Sequence, residues 1–524
     1  MKSGSSAYWP TALVRSVIVI LITTCCLSAQ GPPQFKITPD IRAALDHVSA
    51  DSLRGHLSFI ASDALEGRNT PSRGLDIAAE YIAAQFRRAG LEPVGDDAYY
   101  QTANFVLTET PMDLFELKLR KGADTVSVAK NQVSFNIDKA LNISASLLKV
   151  DYNDPATIAA LTPEGVDGKV VITEIPDSRR FEQPRRLEMF LAREQFLKRM
   201  TELKIPLVIS IDRNNVSGSG AGQGRLIDPE SRRDFIQPGA PVITVHDPRV
   251  VKQYDEMAPT AATAEIQVRV PAQIEKPVRL RNVIGVLRGS DPKLKESYVV
   301  VTAHYDHLGT RPGTQGDNIF NGANDDGSGT VSVIELAWAL ASLKPGPKRS
   351  IVFMTFFGEE KGLLGSRYYG RHPVFPIDKT VADINLEQVG RTDSSEGPQI
   401  ANASLTGFDY SDIPATFKAA GELTGITVYK HEQNSDAFFP RSDNQALADQ
   451  GVPAHTLCTA FVYPDYHGVG DHWDKIDYVN MEKIDRMVAL AVIMIADNIE
   501  APRWNEANPK AARYLKAWNE HHGK

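Results

Sequence analysis

The side chains in this chain that could do chemistry stand at the ends of apolar runs. YVVVTAHYDHLG, from Tyr298, is β-branched and apolar until it delivers His304 and Asp306, the pattern of a buried strand with polar residues at its C-terminal end. GANDDGSG then sets Asp325 in a glycine-rich turn before an alanine- and leucine-rich helix. RSIVFMTFFGEE ends in Glu359 and Glu360, TVADINLEQVGR ends near Glu387, and PDYHGVGDHWDKID carries Tyr466 and His467. A lone His-x-Asp is an ordinary polar strand end, and any one of these carboxylates alone would be a loop residue. Together they form a donor set of histidine and carboxylate without cysteine, which suits zinc or a similar divalent ion. Two adjacent glutamates after a strand can divide the work, one facing a metal and the other its water.

Elements that would bring these residues together follow from the alternation around them. From about residue 280 onward, RNVIGVLRG, YVVVTAHYD, RSIVFMTFFGEE, TVADINLEQVGR and GVPAHTLCT read as strands. TVSVIELAWALASL, IPATFKAAGELTG and the long YVNMEKIDRMVALAVIMIADNI read as helices. Such alternation predicts an α/β fold, a mostly parallel central sheet flanked by helices on both faces. In an open sheet of this kind the strand ends converge on one crevice, where ligands bind. Residues 40–95 are expected to be helical, with RGLDIAAEYIAAQFRRAGLEP closed by Gly90 and Pro93. The turn at Glu66-Gly67-Arg68 is expected to be a packed connection between helices, with an approach to the active site as the alternative. From about 113 to 128 the period changes to two, as LFELKLRKGADTVSV alternates across a Gly-Ala-Asp turn.

Residues 129–264 offer strands and few helices, which predicts an inserted β-rich domain between residues 36–128 and the metal-bearing 265–502. GSGAGQG, Gly218 to Gly224, lacks the Lys-Ser/Thr of a phosphate loop and the third glycine of a dinucleotide fingerprint, and is expected to be a surface loop. The tail, 503–524, carries Trp504, Tyr514 and Trp518 among charges and fits either a docked helix or a frayed end.

Length and composition set the outer bounds. With 524 residues, two to four domains are expected. A net charge of −8 is mild and argues against nucleic acid or an anionic membrane as the main partner. Lys2 and Arg15 flank an apolar Val17–Leu27 that is too short to span a bilayer, and Ala29 is a small residue suited to cleavage. Residues 1–29 are therefore expected to be a signal peptide, with an uncleaved anchor as the alternative. The mature protein is expected to be secreted or periplasmic with no membrane segment. Cleavage would leave Cys458 alone, so no intramolecular disulfide is expected.

The ordered set HYDHLG, GANDDGSG, GEEKGLLGS, NLEQVGR and YHGVGDHWDKID resembles the motifs of the co-catalytic zinc exopeptidase family. That family includes bacterial zinc aminopeptidases, glutamate carboxypeptidase, plasma-type carboxypeptidases and the transferrin receptor. The resemblance covers about 280–500 with a helical lead-in at 50–95, and the insert resembles a protease-associated domain. By position it implies His304 on one Zn2+ and His467 on the other, with Asp325 bridging both. Glu360 is the implied carboxylate ligand of one ion, and Glu387 stands where the family usually has aspartate on the other. Glu359 is the implied general base, and Asp306 the carboxylate that orients His304. Tyr466 is the implied aid in polarising the scissile carbonyl. A cis peptide after Asp325 is implied as well. The charges agree with two ions: Asp325, Glu360, Glu387 and a bridging hydroxide neutralise two divalent cations.

Departures from the family pattern lie at Glu387, one methylene longer than aspartate, at His472-Trp473, and at Asn444, where histidine is frequent. The expected function is an exported metal-dependent exopeptidase acting on peptide substrates, an aminopeptidase first. A carboxypeptidase or dipeptidase, a one-zinc glutaminyl cyclase, and a receptor-like binding protein with a dead site are the alternatives. The retained ligand set weighs against the last two.

Overall fold

The computed structural model describes residues 35–523, apart from 136, 138, 176–184, 215–223, 232–238, 260–263 and 312–315. The expected signal peptide lies outside the described residues, as does GSGAGQG except for Gly224.

Two sheets organise the described chain. The larger is mixed. Its centre is four parallel strands, Ser350–Phe356, Tyr298–His304, Thr380–Leu386 and Ala454–Cys458, side by side in that order. Antiparallel strands extend one side through Ile274–Leu287 and Tyr100–Glu109. Asn402–Leu405, antiparallel to Ala454–Cys458, and Thr427–Tyr429 extend the other. All residues of Tyr298–His304 and of Ser350–Phe356 are buried, which explains why they read as unbroken apolar runs rather than alternating ones. Successive residues nevertheless serve opposite faces. Val299, Val301, Ile351 and Phe353 join a core with the helices Arg73–Arg88, Gly329–Ala341 and Tyr478–Asp497. Val300, Val352, Met354 and Phe356 join one with Leu447, Trp504 and Tyr514. The sheet is therefore covered on both faces, as expected.

Register decides what meets at the strand ends. His304 pairs with Phe356, and Thr302 with Asn385, so Glu387 arrives level with His304 and Glu359 follows three residues after Phe356. The tail is docked. Trp504 donates through Nε1 to Gly451 O at 2.7 Å and stacks on Tyr514, and Ala512–His521 is helical.

The second sheet runs from Asp124–Ser127 through Glu116–Lys121, Ala264–Val270, Leu141–Lys149, Lys169–Thr173, Val208–Ile211 and Val242–Val245 to Val133–Phe135. It has its own apolar core, with Leu117, Leu119, Val170, Ile209, Val245 and Ile266 fully or nearly fully buried. Its strands reach beyond the expected 129–264 at both ends. Glu116–Lys121 and Ala264–Val270 are paired with each other, so the hairpin at 116–127 is part of this sheet and not of the first. One strand departs from a wholly separate insert: Arg225–Ile227 pairs with Val106–Thr108 at the outer edge of the larger sheet. That edge presents unpaired backbone groups, which the strand satisfies.

Candidate metal centre

The polar strand ends converge as the register requires. Donor atoms of His304, Asp325 and Glu387 lie within 4.8 Å of one another, and so do those of His307, Asp325 and Glu360. Asp325 belongs to both groups. One of its oxygens is 3.3 Å from His304 Nε2 and the other 3.1 Å from His467 Nε2. His467 Nε2 is also 3.4 Å from Glu360 Oε1. Glu359 sits alongside, with Oε2 3.9 Å from His304 Nε2. Every expected ligand thus reaches one place.

Asp325 is aimed by the turn that carries it. Gly322 takes a left-handed conformation (φ 58°), and a Cβ there would collide with the Asp325 carbonyl and the His307 ring. The Asp325–Asp326 peptide is cis. Asp471 Oδ2 accepts from the amides of Asn324 and Asp325 at 2.9 and 3.2 Å, and from Tyr463 Oη at 2.9 Å. Asp326 joins neighbouring segments: Oδ1 accepts from Gly329 N and Gln388 N, Oδ2 from His304 N.

Asp306 acts through several atoms. Its backbone carbonyl is 3.2 Å from His304 Nδ1, with the carboxylate at 3.6 Å. The same carboxylate accepts from Glu359 N at 3.0 Å and Thr70 Oγ1 at 3.1 Å. It therefore ties the orientation of His304 to the placement of Glu359. Tyr466 stacks on His467, ring centroids 4.1 Å apart, and lines the adjoining pocket.

Arg68 underlies the whole arrangement. Fully buried, it donates to the carbonyls of Ile60, Tyr305, Asn321 and Gly322 at 2.6–2.9 Å. The Glu66-Gly67-Arg68 turn is therefore a brace between the segments bearing Asp306 and Asp325, and more than a connection. His307 and Asp471 are not singled out by the sequence, and Arg68 only as part of its turn. His307 stands one residue past the His-x-Asp pair, where the strand has ended. Asp471 and Arg68 bind backbone groups, which leave no pattern of side-chain types.

The cluster is short of positive charge. Burial alone would lower His304, but Glu359, Asp306, Asp325 and Asp326 outweigh it and raise it well above its ordinary range. Burial, with Glu387, Asp443 and Glu360 nearby, pushes Glu359 far above the usual carboxylate range. Against burial and Asp325, the imidazoles of His307 and His467 hold Glu360 at about 2. Divalent cations supply the missing charge and displace those protons. The donor atoms fit such cations: His304 Nε2, His307 Nδ1 and Glu360 Oε1 are buried and make no hydrogen bond, an arrangement that is costly unless something else is bound there.

Beside the centre lies a pocket of about 320 Å³, lined by Phe438, Phe461, Ala460 and Cys458 on its apolar side and by Gln388 and Arg441 among its polar groups. A larger cavity of about 660 Å³ adjoins it at Gly362, lined by Phe105, Leu107 and Glu109 and by the Arg225–Ile227 strand paired beside them.

Sequence comparisons match part of this chain to metallopeptidases. Residues 282–492 match the model of Peptidase family M28. A "Probable zinc metalloprotease" of Pyrenophora teres f. teres is 35% identical over 134 residues, 25% of this chain and 28% of that protein. "Aminopeptidase YwaD" of Bacillus subtilis is 27% identical over 237 residues, 44% of this chain and 48% of that protein. The matches thus span less than half of either relative. Among solved structures, an aminopeptidase from Aneurinibacillus sp. strain AM-1 superposes with a TM-score of 0.56 at 18% identity, covering 89% of this chain and all of that one. The zinc aminopeptidase BSAP from Bacillus subtilis gives 0.51 at 19%, covering 86% and 96%. At these identities the likeness is one of fold.

Proposed function

We propose that the protein is an exported zinc exopeptidase that removes residues from the amino ends of peptides. The observation that carries this reading is the convergence of two donor groups on Asp325, with Glu359 beside them and an apolar pocket opening next to them. His304, Asp325 and Glu387 would hold one Zn2+, and Asp325, Glu360 and His467 the other. Bound there, such ions would supply Lewis acidity toward a water and the scissile carbonyl.

The chain's own residues supply the rest. Glu359 accepts the proton of the attacking water and returns it to the leaving amine. Asp306 fixes Glu359 through its amide and His304 through Nδ1, so base and ligand keep one geometry. Tyr466, which lines the pocket beside His467, would donate through its hydroxyl to the developing oxyanion. Gln388 Oε1 lines the pocket without a hydrogen-bond partner, and with the surrounding carboxylates it suits a substrate ammonium. The adjoining cavity lets the rest of a short peptide leave, while the second sheet, resembling a protease-associated domain, limits access by folded chains. The apolar Val17–Leu27 supports export.

Arg441, which also lines the pocket and lies over the Phe438 ring, favours a second reading, a carboxypeptidase. Two blocked peptides separate them. Release of the first residue from a C-terminally amidated peptide, with none from its N-acetylated counterpart, is the expected result. Release of the last residue from the N-acetylated peptide, with none from the amidated one, would establish the carboxypeptidase.

A further inference from the structure

Resting on the two-ion reading above, we propose that His307 is a fourth protein ligand, through Nδ1, of the ion held by Asp325, Glu360 and His467. The ring is wholly buried. Nδ1 is only 2.9 Å from Glu360 Oε1, yet neither atom makes a hydrogen bond. Two polar atoms this close and not bonded to each other are both available to a third group. The donor atoms of His307, Asp325 and Glu360 lie within 4.8 Å of each other, compact enough to share one cation. His467 approaches from another direction, its ring 5.8 Å from that of His307 with 73° between planes.

A buried histidine with a purely structural role looks different in this same protein. His455 is equally inaccessible, but its Nε2 meets Ser411 Oγ at 2.6 Å and its Nδ1 meets Thr406 O at 2.7 Å. Both nitrogens of His307 lack such partners. Its position is fixed by the backbone, through donation of its N–H to Arg68 O at 3.2 Å, and by the missing Cβ of Gly322, against which the ring lies.

The consequence is an asymmetric pair. Four protein donors surround one ion, the number that closes a structural zinc site, whereas His304, Asp325 and Glu387 leave the other with three, the number of an open one.

Ligation can be separated from mere positioning by counting metal-bound imidazoles. Protein with nitrogen-15 histidine, stripped and reloaded with cadmium-113, is expected to show three imidazole nitrogens coupled to the metal: those of His304, His307 and His467. His307→Leu should remove one signal and leave the other two. If that variant does not fold, the wild-type count decides alone. Two bound cadmium ions with two coupled imidazoles would overturn the assignment while leaving the two-ion centre intact. A chain that binds no metal would overturn both.

Discussion

Glu359 and Glu360 are neighbours with opposite duties, and the proposal stands on that division. Glu360 points at His307 and His467, Glu359 at His304. Glu360→Gln removes a charged ligand, so zinc content and stability should fall together. Glu359→Gln keeps shape and hydrogen bonding but accepts no proton. Zinc content should stay at the wild-type level while kcat falls by about 10²–10⁴-fold with little change in KM. Metal analysis beside steady-state kinetics checks both, and loss of zinc from Glu359→Gln alone would mean the two roles are reversed. At this scale the sequence was informative wherever a functional side chain ends an apolar run, as at His304, Glu359 and Glu387. It was silent on His307, which has already left the strand, and on Asp471, whose partners are backbone amides far away along the chain.

Among the elements, the Asp63–Arg68 turn has the largest reach for its size. Burial lowers the Arg68 guanidinium to about 10, still charged at neutral pH. Four carbonyls from three chain segments depend on it. A buried carbonyl left without a donor costs about 1–3 kcal/mol. Arg68→Met should therefore lower stability by at least about 3 kcal/mol in urea unfolding, and zinc content should drop because the Asp306 and Asp325 segments lose their common brace. A variant within about 1 kcal/mol of wild type that keeps its zinc would contradict the brace. Strands buried on both faces were legible as continuous apolar runs, and helices by their period. Sheet membership of the 116–127 hairpin was not legible, because its alternation fits either sheet. Only its pairing with Ala264–Val270 decides.

At the scale of the molecule, the second sheet is attached in a way that allows its removal. Glu109 and Ile274 are paired neighbours on adjacent antiparallel strands, so replacing 110–273 with an Asn-Gly turn closes that pair as a hairpin. The shortened protein should fold, bind zinc and cleave a dipeptide as before, while its kcat/KM on long or folded substrates rises severalfold relative to the dipeptide. An unchanged ratio would remove the access-limiting role. The α/β plan and the crevice at the strand ends were foreseeable from alternation alone. The Arg225–Ile227 strand on the first sheet was not, since three residues of edge pairing carry no periodic signal.

The central claim is that two zinc ions sharing Asp325 make this chain a peptidase. The measurement that tests it most directly is release of the amino-terminal residue from an unblocked peptide by metal-stripped protein during titration with zinc. The account predicts no cleavage without metal and a rise to full activity that ends at two zinc ions per chain. Cleavage that persists in the stripped protein, or that never appears when both ions are bound, would contradict it.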